Sequence, residues 1–321
     1  MRVFVAGATG VIGRPLVRDL IAAGHQVAGM TRSPAKAGQV AAAGAEPVVC
    51  DALDAVAVER VIGAWHPDVV VHQLTALPQQ YNPRRLRQLY RATDRLHAEG
   101  TDHLIAAARS AGANRFVVQS IAFAYERAGG MVKSEEDALD ARPPKALADA
   151  TAALVHLEHA AAQSQGAGLD TVVLRYGFFY GPGTWYAPDG HFAKEIRRRR
   201  YPIVGRGDGV FSFVHVEDAA MATRLVIEQP VTGVFNVVDD EPARLRDWVP
   251  VFAAAMNAPK PMRVPPWAAR LVAGRSAVEQ LMTIRGADNT KAKTMLGWQL
   301  RHASWRDGFS SQLDPTTDGS R

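Results

Sequence analysis

Residues 3–13, VFVAGATGVIG, decide the fold of this chain. Four apolar residues lead straight into three glycines with the spacing Gly7-x-x-Gly10-x-x-Gly13, and an amphipathic stretch from Arg14 to Ala23 follows. A strand, a glycine-rich turn and a helix in this order let backbone N–H groups and the positive end of the helix dipole face a phosphate. The stretch predicts a dinucleotide site, and an ordinary turn between strand and helix is the alternative.

The composition is typical of a globular protein and excludes several classes. The chain has 321 residues, 47% of them hydrophobic, and a net charge of +5 with no interleaved basic and aromatic pattern, so we expect no nucleic-acid partner. No apolar run is long enough for a bilayer, and no signal peptide is recognisable, so we expect no membrane association. Cys50 is the only cysteine, which predicts a cytoplasmic protein without disulfides, and we expect no metal site.

Strands alternate with helices through the first half of the chain. This alternation predicts an α/β fold with a Rossmann-type doubly wound parallel sheet, whose ligand lies beyond the carboxyl ends of the strands. The predicted strands are Val3–Ala6, His25–Met30, Glu46–Val49, Asp68–Val71, Arg115–Gln119 and Thr171–Leu174. The predicted helices are Arg14–Ala23, Ala35–Ala43, Ala55–Ala64, Arg84–Ala111 and Ala146–Gln165.

The pattern changes after Tyr176 into loops rich in glycine and proline. We therefore expect a cofactor-binding domain over residues 1–176, to which a later strand near 210–238 returns. Residues 177–310 are expected to form most of a smaller α/β substrate lobe, and residues 311–321 a flexible tail.

Several further blocks carry a family resemblance. They are HAEGTDHLIAAARSAGANRFVVQS (97–120), LDTVVLRYGFFYGPG (169–183), FSFVHVEDAAMA (211–222), GVFNVV (233–238) and NTKAKTMLGW (289–298). With the glycine loop, they resemble the extended short-chain dehydrogenases/reductases of the epimerase/dehydratase superfamily, up to about Phe309. The resemblance implies a nicotinamide dinucleotide cofactor but does not specify a reaction.

The resemblance also implies which residues contact the cofactor. Asp51 and Ala52 would border the adenine, although Asp51 is alternatively a helix N-cap. Leu74 and Thr75 would pack on the adenosine and ribose. The complete expected set is Gly7, Thr9, Gly10, Val11, Ile12, Gly13, Arg14, Thr31, Arg32, Asp51, Ala52, Leu74, Thr75 and Tyr176.

The charge at the end of the second strand distinguishes between the two nicotinamide cofactors. NAD-binding folds place an acidic residue there, whereas this chain has Thr31-Arg32-Ser33. A guanidinium can pair with a phosphorylated ribose in bidentate geometry, and by resemblance Arg14 would close over the same phosphate. These residues predict NADP(H), and two ordinary surface charges are the alternative.

The usual catalytic pair of the superfamily, Tyr-x-x-x-Lys, is missing. None of the seven tyrosines is followed by lysine four residues later, and alignment by Glu158 puts Ala150 and Leu154 at the two positions. The candidate catalytic residues are therefore Ser120 at the end of the fifth strand, Tyr180 in the following lobe, and His72, which titrates in the useful range. Water or a phenol of the substrate are further possible proton donors.

Aromatic residues stand where relatives that act on nucleotide sugars have polar ones. By resemblance, Phe211 replaces an arginine and Phe178 an asparagine. Together with Phe179, Trp185 and Tyr186, they predict a slot for a flat, apolar substrate, and an aromatic core between two lobes is the alternative.

These observations predict an NADPH-dependent ketoreductase that acts on an apolar, polycyclic aromatic carbonyl. The chain resembles atypical ketoreductases of aromatic polyketide tailoring, which implies a role in secondary metabolism such as antibiotic biosynthesis. Two alternatives remain: an epimerase, dehydratase or isomerase with an internal redox cycle, and a non-catalytic NADP(H)-sensing protein. The chain is expected to be a monomer or a homodimer.

Overall fold

A seven-stranded parallel sheet is the centre of the computed structural model, which describes residues 1–311. All strands, including short ones outside this sheet, are β1 (Arg2–Ala6), β2 (Gln26–Thr31), β3 (Glu46–Val49), β4 (Val69–His72), β5 (Arg115–Ile121), β6 (Val132–Lys133), β7 (Asp170–Tyr176), β8 (Phe178–Tyr180), β9 (Ile203–Val204), β10 (Val210–Phe211), β11 (Phe213–His215), β12 (Gly233–Val237), β13 (Ala243–Arg244), β14 (Arg263–Val264) and β15 (Gly286–Ala287). The order across the sheet is β12-β7-β5-β4-β1-β2-β3. This order confirms the predicted doubly wound fold, with β1 beside the point where the order reverses.

Helices cover both faces of the sheet. They are α1 (Gly13–Ala22), α2 (Ala37–Ala42), α3 (Ala55–Trp65), α4 (Leu86–Arg95), α5 (Thr101–Ser110), α6 (Ala148–Gln165), α7 (His191–Arg197), α8 (Val216–Glu228), α9 (Leu245–Ala255), α10 (Pro266–Ala273), α11 (Arg275–Thr283), α12 (Thr290–Leu296) and α13 (Trp305–Ser311). One apolar core joins the sheet to α1, α8 and α12, and a second joins it to α3, α5 and α6. Because both faces are covered, the central strands are continuous apolar runs rather than alternating ones.

The helix predicted over Arg84–Ala111 contains an irregularity. A 3-10 turn at Pro83–Arg85 leads into α4, and a π-helical turn at Leu96–Gly100 separates α4 from α5. A π turn inserts one residue per turn and rotates the side chains that follow. Here it buries His97 with its ring 6.3 Å from the ring of His72.

The segments after β7, apart from α8, β12 and α12, form a second packing unit with its own core, which we call the second lobe. Side chains of α7, α9 and α13 enclose an aromatic cluster, and β8 pairs in parallel with β11 beneath it. The expected tail over 311–321 lies outside the described residues apart from Ser311, which ends α13. Within residues 1–311, no helix combines the length and apolar content needed to cross a bilayer.

The core between the sheet and α5 should respond strongly to truncation at Phe116, which is fully buried in β5. We expect Phe116→Ala to lower the free energy of unfolding by about 3–5 kcal/mol, since a large cavity is left behind. Urea unfolding measures this change. Val56→Ala, at a side chain that is 79% exposed, is the control and should change it by less than about 0.5 kcal/mol. Equal effects of the two substitutions would contradict the assigned packing.

Candidate functional site

The glycine loop brings three backbone segments into close contact at the carboxyl end of β1. Gly7 has φ of +96°, and a Cβ there would lie 2.5 Å from the carbonyl oxygen of Gln73. A Cβ on Gly13 would lie 2.1 Å from the carbonyl oxygen of Gly7. Both contacts are impossible for a residue with a side chain, so the loop requires glycine at these positions. The hydrogen bond from Gly10 N to Gly7 O, at 3.0 Å, closes the turn.

The start of α1 contains no group that repels an anion, although Arg14 N already donates to the Gly10 carbonyl at 3.1 Å and Pro15 has no N–H. The N-cap residue, Ile12, provides no side-chain hydrogen bond, and the first turn contains no acidic residue. The first N–H groups of a helix have no partner within the helix, and they carry its positive dipole end. The loop and this helix start therefore fit the pyrophosphate of a dinucleotide.

Two arginines flank this cradle without internal partners. The side chains of Arg14 and Arg32 are exposed, and within residues 1–311 neither makes a hydrogen bond or an ion pair. Thr31 lies between the loop and Arg32, and its Oγ1 is 3.4 Å from that of Thr9. The Arg14 guanidinium extends across the loop, where a Cβ on Gly183 would lie 2.6 Å from it. Arg14 thus extends from the loop to the edge of the second lobe, and both cations are available to phosphate.

The residues expected at the adenosine follow the ends of β3 and β4. Asp51 Oδ1 accepts a hydrogen bond from Leu53 N at 3.1 Å, whereas the N-cap of α3 is Asp54, which accepts from Ala57 N. Asp51 therefore closes a turn and does not cap α3. After β4, Leu74 is half-buried and Thr75 is exposed. Ala52 is buried, and its carbonyl accepts a hydrogen bond from His103 Nδ1 at 2.9 Å.

Tyr176, expected at the cofactor, instead belongs to the core. It is fully buried, and its hydroxyl lies 3.0 Å from Gln73 Nε2 and 2.6 Å from Thr223 Oγ1. Thr223 donates its own proton to the Ala219 carbonyl, so Tyr176 donates to Thr223. The side chain anchors β7 to α8 and has no exposed atom for a cofactor.

His72 is held by the backbone. Its Nδ1 accepts a hydrogen bond from Leu74 N at 3.2 Å, so Nε2 carries the proton and donates to the Leu96 carbonyl at 3.2 Å. Complete burial lowers the pKa of His72 to about 4. The imidazole is therefore neutral at pH 7 and links the end of β4 to the π turn, and it has no exposed atom for a substrate.

Ser120 and Tyr180, the other two candidate catalytic residues, are also fully buried. Ser120 Oγ donates to Glu158 Oε1 at 2.6 Å, and Arg175 forms a bidentate pair with the same carboxylate. Tyr180 lies in the aromatic core, and burial raises the pKa of its hydroxyl well above the ordinary value. The structure does not bring these two hydroxyls and His72 together around one opening.

The aromatic residues expected to contact substrate separate into two groups. Phe211 and Tyr186 are buried in the core of the second lobe, and Phe179 packs against Tyr176 with ring centroids 5.2 Å apart. Phe178 is half-buried and stacks on Phe123, with centroids 4.1 Å apart and an angle of 12° between the planes. The ring of Phe211 packs against that of Phe178, with centroids 5.0 Å apart. Phe211 and Tyr186 thus belong to the aromatic core, and the substrate slot stays a prediction for the half-buried Phe178.

Sequence reasoning missed Phe123, although it follows β5 by only two residues. It also missed the strap, as we call residues 77–85 between β4 and α4. Trp185 Nε1 donates to the Pro78 carbonyl at 3.0 Å, and Tyr81 packs edge-on against Trp185 at 5.5 Å. Arg84 donates to the carbonyls of Leu271 and Val272 at the end of α10. The strap thus joins the loop after β4 to the second lobe.

A family comparison agrees with this geometry. Residues 3–238 match the model of the NAD dependent epimerase/dehydratase family. The chain belongs to this family. This chain is 45% identical to a 3-diazoavenalumate denitrifying reductase from Streptomyces sp. The alignment covers 97% of this chain and 100% of the relative. A 4-hydroxy-2-methyl-3-oxo-4-farnesyl-3,4-dihydroquinoline-1-oxide ketoreductase from Stigmatella aurantiaca is 29% identical, over 78% of this chain and 71% of the relative.

Solved structures of epimerases share the fold of this family member. The UDP-glucose 4-epimerase of Thermus thermophilus, solved with NAD, superposes with a TM-score of 0.76 over 98% of both chains, at 23% identity. Family membership and the reductase relatives make the chain an NAD(P)-dependent reductase or epimerase.

Acid should destabilise this family member through His72. Its pKa is about 4 in the folded chain and about 6.5 in an unfolded one, so below pH 6.5 the unfolded state takes up a proton first. We expect this linkage at His72 to lower the free energy of unfolding by roughly 3 kcal/mol as the pH falls from 7 to 4. Urea unfolding at several pH values should show a shallower acid dependence for His72→Asn than for the unaltered chain. His156→Ala removes an imidazole that is 46% exposed and serves as the control. An unchanged slope in His72→Asn would contradict the assignment.

Proposed function

We propose that the protein is an NADPH-dependent reductase that replaces the diazo group of a planar aromatic substrate by hydrogen and releases dinitrogen. The observation that carries this proposal is the 45% identity to a denitrifying reductase over 97% of this chain and 100% of the relative. A bound nicotinamide supplies the hydride, and the overall change is Ar–N₂⁺ + NADPH → Ar–H + N₂ + NADP⁺. One C–N bond breaks, one C–H bond forms, and both electrons of that C–N bond leave with dinitrogen.

The missing proton relay supports this reaction over carbonyl reduction. Reduction of a ketone leaves a negative oxygen that must be protonated or stabilised by a donor. The hydroxyls of Ser120 and Tyr180 are buried, and that of Ser120 is bonded to Glu158. Loss of dinitrogen from a diazonium carbon produces no anion, so a site that only positions the reactants is sufficient.

The half-buried stack of Phe123 and Phe178 is the proposed wall for the aromatic ring. It lies directly after β5 and β7, two adjacent strands of the sheet, and β5 is also the neighbour of β4. A flat ring can stack on such a plate, and the electron-rich faces of phenyl groups attract a cationic diazonium ring. In this proposal the strap and Trp185 close the same space from the other side.

Reduction of an apolar carbonyl at the same site is the second candidate. It is favoured by the ketoreductase relative, whose named substrate carries an oxo group and a farnesyl chain. This candidate requires a proton from water or from the substrate itself, because the buried hydroxyls are not available. The epimerase alternative is weakened by the same missing relay and by the loss of the polar contacts expected for a nucleotide sugar.

A labelling experiment distinguishes the two candidates. The protein is incubated with NADPH that carries deuterium at nicotinamide C4 and with an ortho-hydroxyaryl diazonium carboxylate whose diazo group is ¹⁵N-labelled. We expect labelled dinitrogen in the gas phase and one deuterium at the former diazo carbon, measured by mass spectrometry. Two control reactions give the spontaneous rate. One contains no protein, and the other contains Gly13→Ala, whose Cβ would obstruct the glycine loop. Reduction of a ketone without release of dinitrogen would instead support the second candidate.

Arg32 should determine the preference for NADPH. We expect Arg32→Ala to weaken NADPH binding roughly tenfold and to leave NADH binding within about twofold, because only NADPH carries the additional phosphate. Fluorescence titration of the purified chain with each cofactor measures both constants. Arg18→Ala removes another exposed arginine from α1 and should change neither. Tighter binding of NADH than of NADPH by the unaltered chain would overturn the NADPH assignment.

A further inference from the structure

Two histidines and a glutamate meet at the start of α8. They are His215, Glu217 and His302, and one ligand atom from each lies within 4.8 Å of the others. Glu217 Oε2 is 3.9 Å from His215 Nδ1 and 3.5 Å from His302 Nε2. The two imidazole rings face each other with centroids 3.7 Å apart.

The surrounding structure holds the histidines in place. His215 is buried, with its Nε2 against Gly181, where a Cβ would approach to 2.5 Å. The backbone of the other histidine is fixed because His302 N donates to Asp218 Oδ2 at 2.9 Å. Arg301 N donates to the other oxygen of Asp218 at 2.8 Å. Two segments more than eighty residues apart are therefore brought together before any ligand binds.

The Glu217 carboxylate has no conventional cationic partner. Within the described part of the chain it forms no ion pair with lysine or arginine, and its close contacts are the two imidazoles. Its side chain is 43% exposed, and that of His302 is 28% exposed, so an ion can reach the cluster from solvent.

We propose that His215, Glu217 and His302 bind one divalent transition-metal ion of the zinc type. Two imidazole nitrogens and one carboxylate oxygen form a ligand set that zinc and its neighbours favour over calcium and magnesium. Zinc bound tetrahedrally at about 2.0–2.1 Å requires ligand atoms roughly 3.4 Å apart. The ligand atoms of Glu217 and His302 already have this separation, at 3.5 Å. Rotation of these two partly exposed side chains shortens their longer distances to His215. Water fills the fourth position.

Binding has two local costs. His215 Nδ1 must release its 3.3 Å hydrogen bond from Glu217 N, which is long for a helix cap. The positive end of α8 also opposes a cation. The negative charge of Glu217 offsets the second cost. The bound ion would join the start of α8 to the segment between α12 and α13 and would thus stabilise the fold without entering the reaction.

Calorimetric titration of the untagged, chelator-treated chain with ZnCl₂ tests the proposal. We expect one equivalent to bind, and the Co²⁺ complex to show the intense visible absorption of a four-coordinate site. Glu217→Gln and His302→Ala should each weaken Zn²⁺ binding at least tenfold, with circular dichroism to confirm that both variants fold. His156→Ala is the matched control, because His156 pairs with Asp102 at 2.9 Å but, among residues 1–311, belongs to no group of three ligands.

Two results would overturn the proposal. One is failure of the unaltered chain to bind a stoichiometric equivalent of either Zn²⁺ or Co²⁺. The other is a loss of binding in His156→Ala as large as that in His302→Ala. Both readouts are independent of enzyme turnover, so they do not depend on the proposed reaction.

Discussion

Backbone crowding at the glycine loop is the constraint on which the rest of the site depends. Gly7 and Gly13 allow β1, the start of α1 and the end of β4 to approach within distances that no side chain would permit. Because β1 lies between β2 and β4, where the strand order reverses, this crowding forms a concave backbone surface at the switch point of the sheet. The phosphate cradle is thus fixed by main-chain geometry. The arginine side chains that flank it are not needed to form it, so they are free to bind groups that differ between cofactors.

Polar groups that would be expected to do chemistry are instead used to connect elements. The Glu158 carboxylate receives Ser120 and Arg175, which ties β5 and β7 to α6. His72 connects the end of β4 to the π turn in the same manner. A buried polar group that loses its partner costs about 1–3 kcal/mol, so diverting any of these groups to a substrate would weaken the sheet. A polar side chain at the carboxyl ends of the sheet strands can therefore stabilise the fold or take part in catalysis, but not both.

Much of the fold could be predicted from the sequence, because it depends on local signals. Apolar runs, glycine spacing and helical periodicity place six strands of the sheet, and the predicted bounds differ from the observed ones by a few residues. The partners of single side chains could not be predicted in this way. Tyr176, Ser120 and Tyr180 have suitable chemistry at suitable positions, but their burial depends on residues such as Thr223 and Glu158 that are distant in sequence. The cluster around His215 was missed for the same reason, since His302 belongs to a turn of no recognisable motif.

The distribution of polarity also bears on the reaction. Hydride transfer to a carbonyl concentrates charge on oxygen, and enzymes stabilise that charge with preorganised donors. Around β4, β5 and β7 the sequence provides such donors, but folding binds them to Glu158, Thr223 and the Leu96 carbonyl. Beyond β5 and β7, the stack of Phe123 and Phe178 remains half-exposed. A surface of this kind can orient a flat ring and exclude water from it, but it can do little for a developing alkoxide. A leaving group that departs as neutral dinitrogen makes no such demand, and the chemistry that an apolar plate can support is therefore chemistry in which the substrate provides its own driving force.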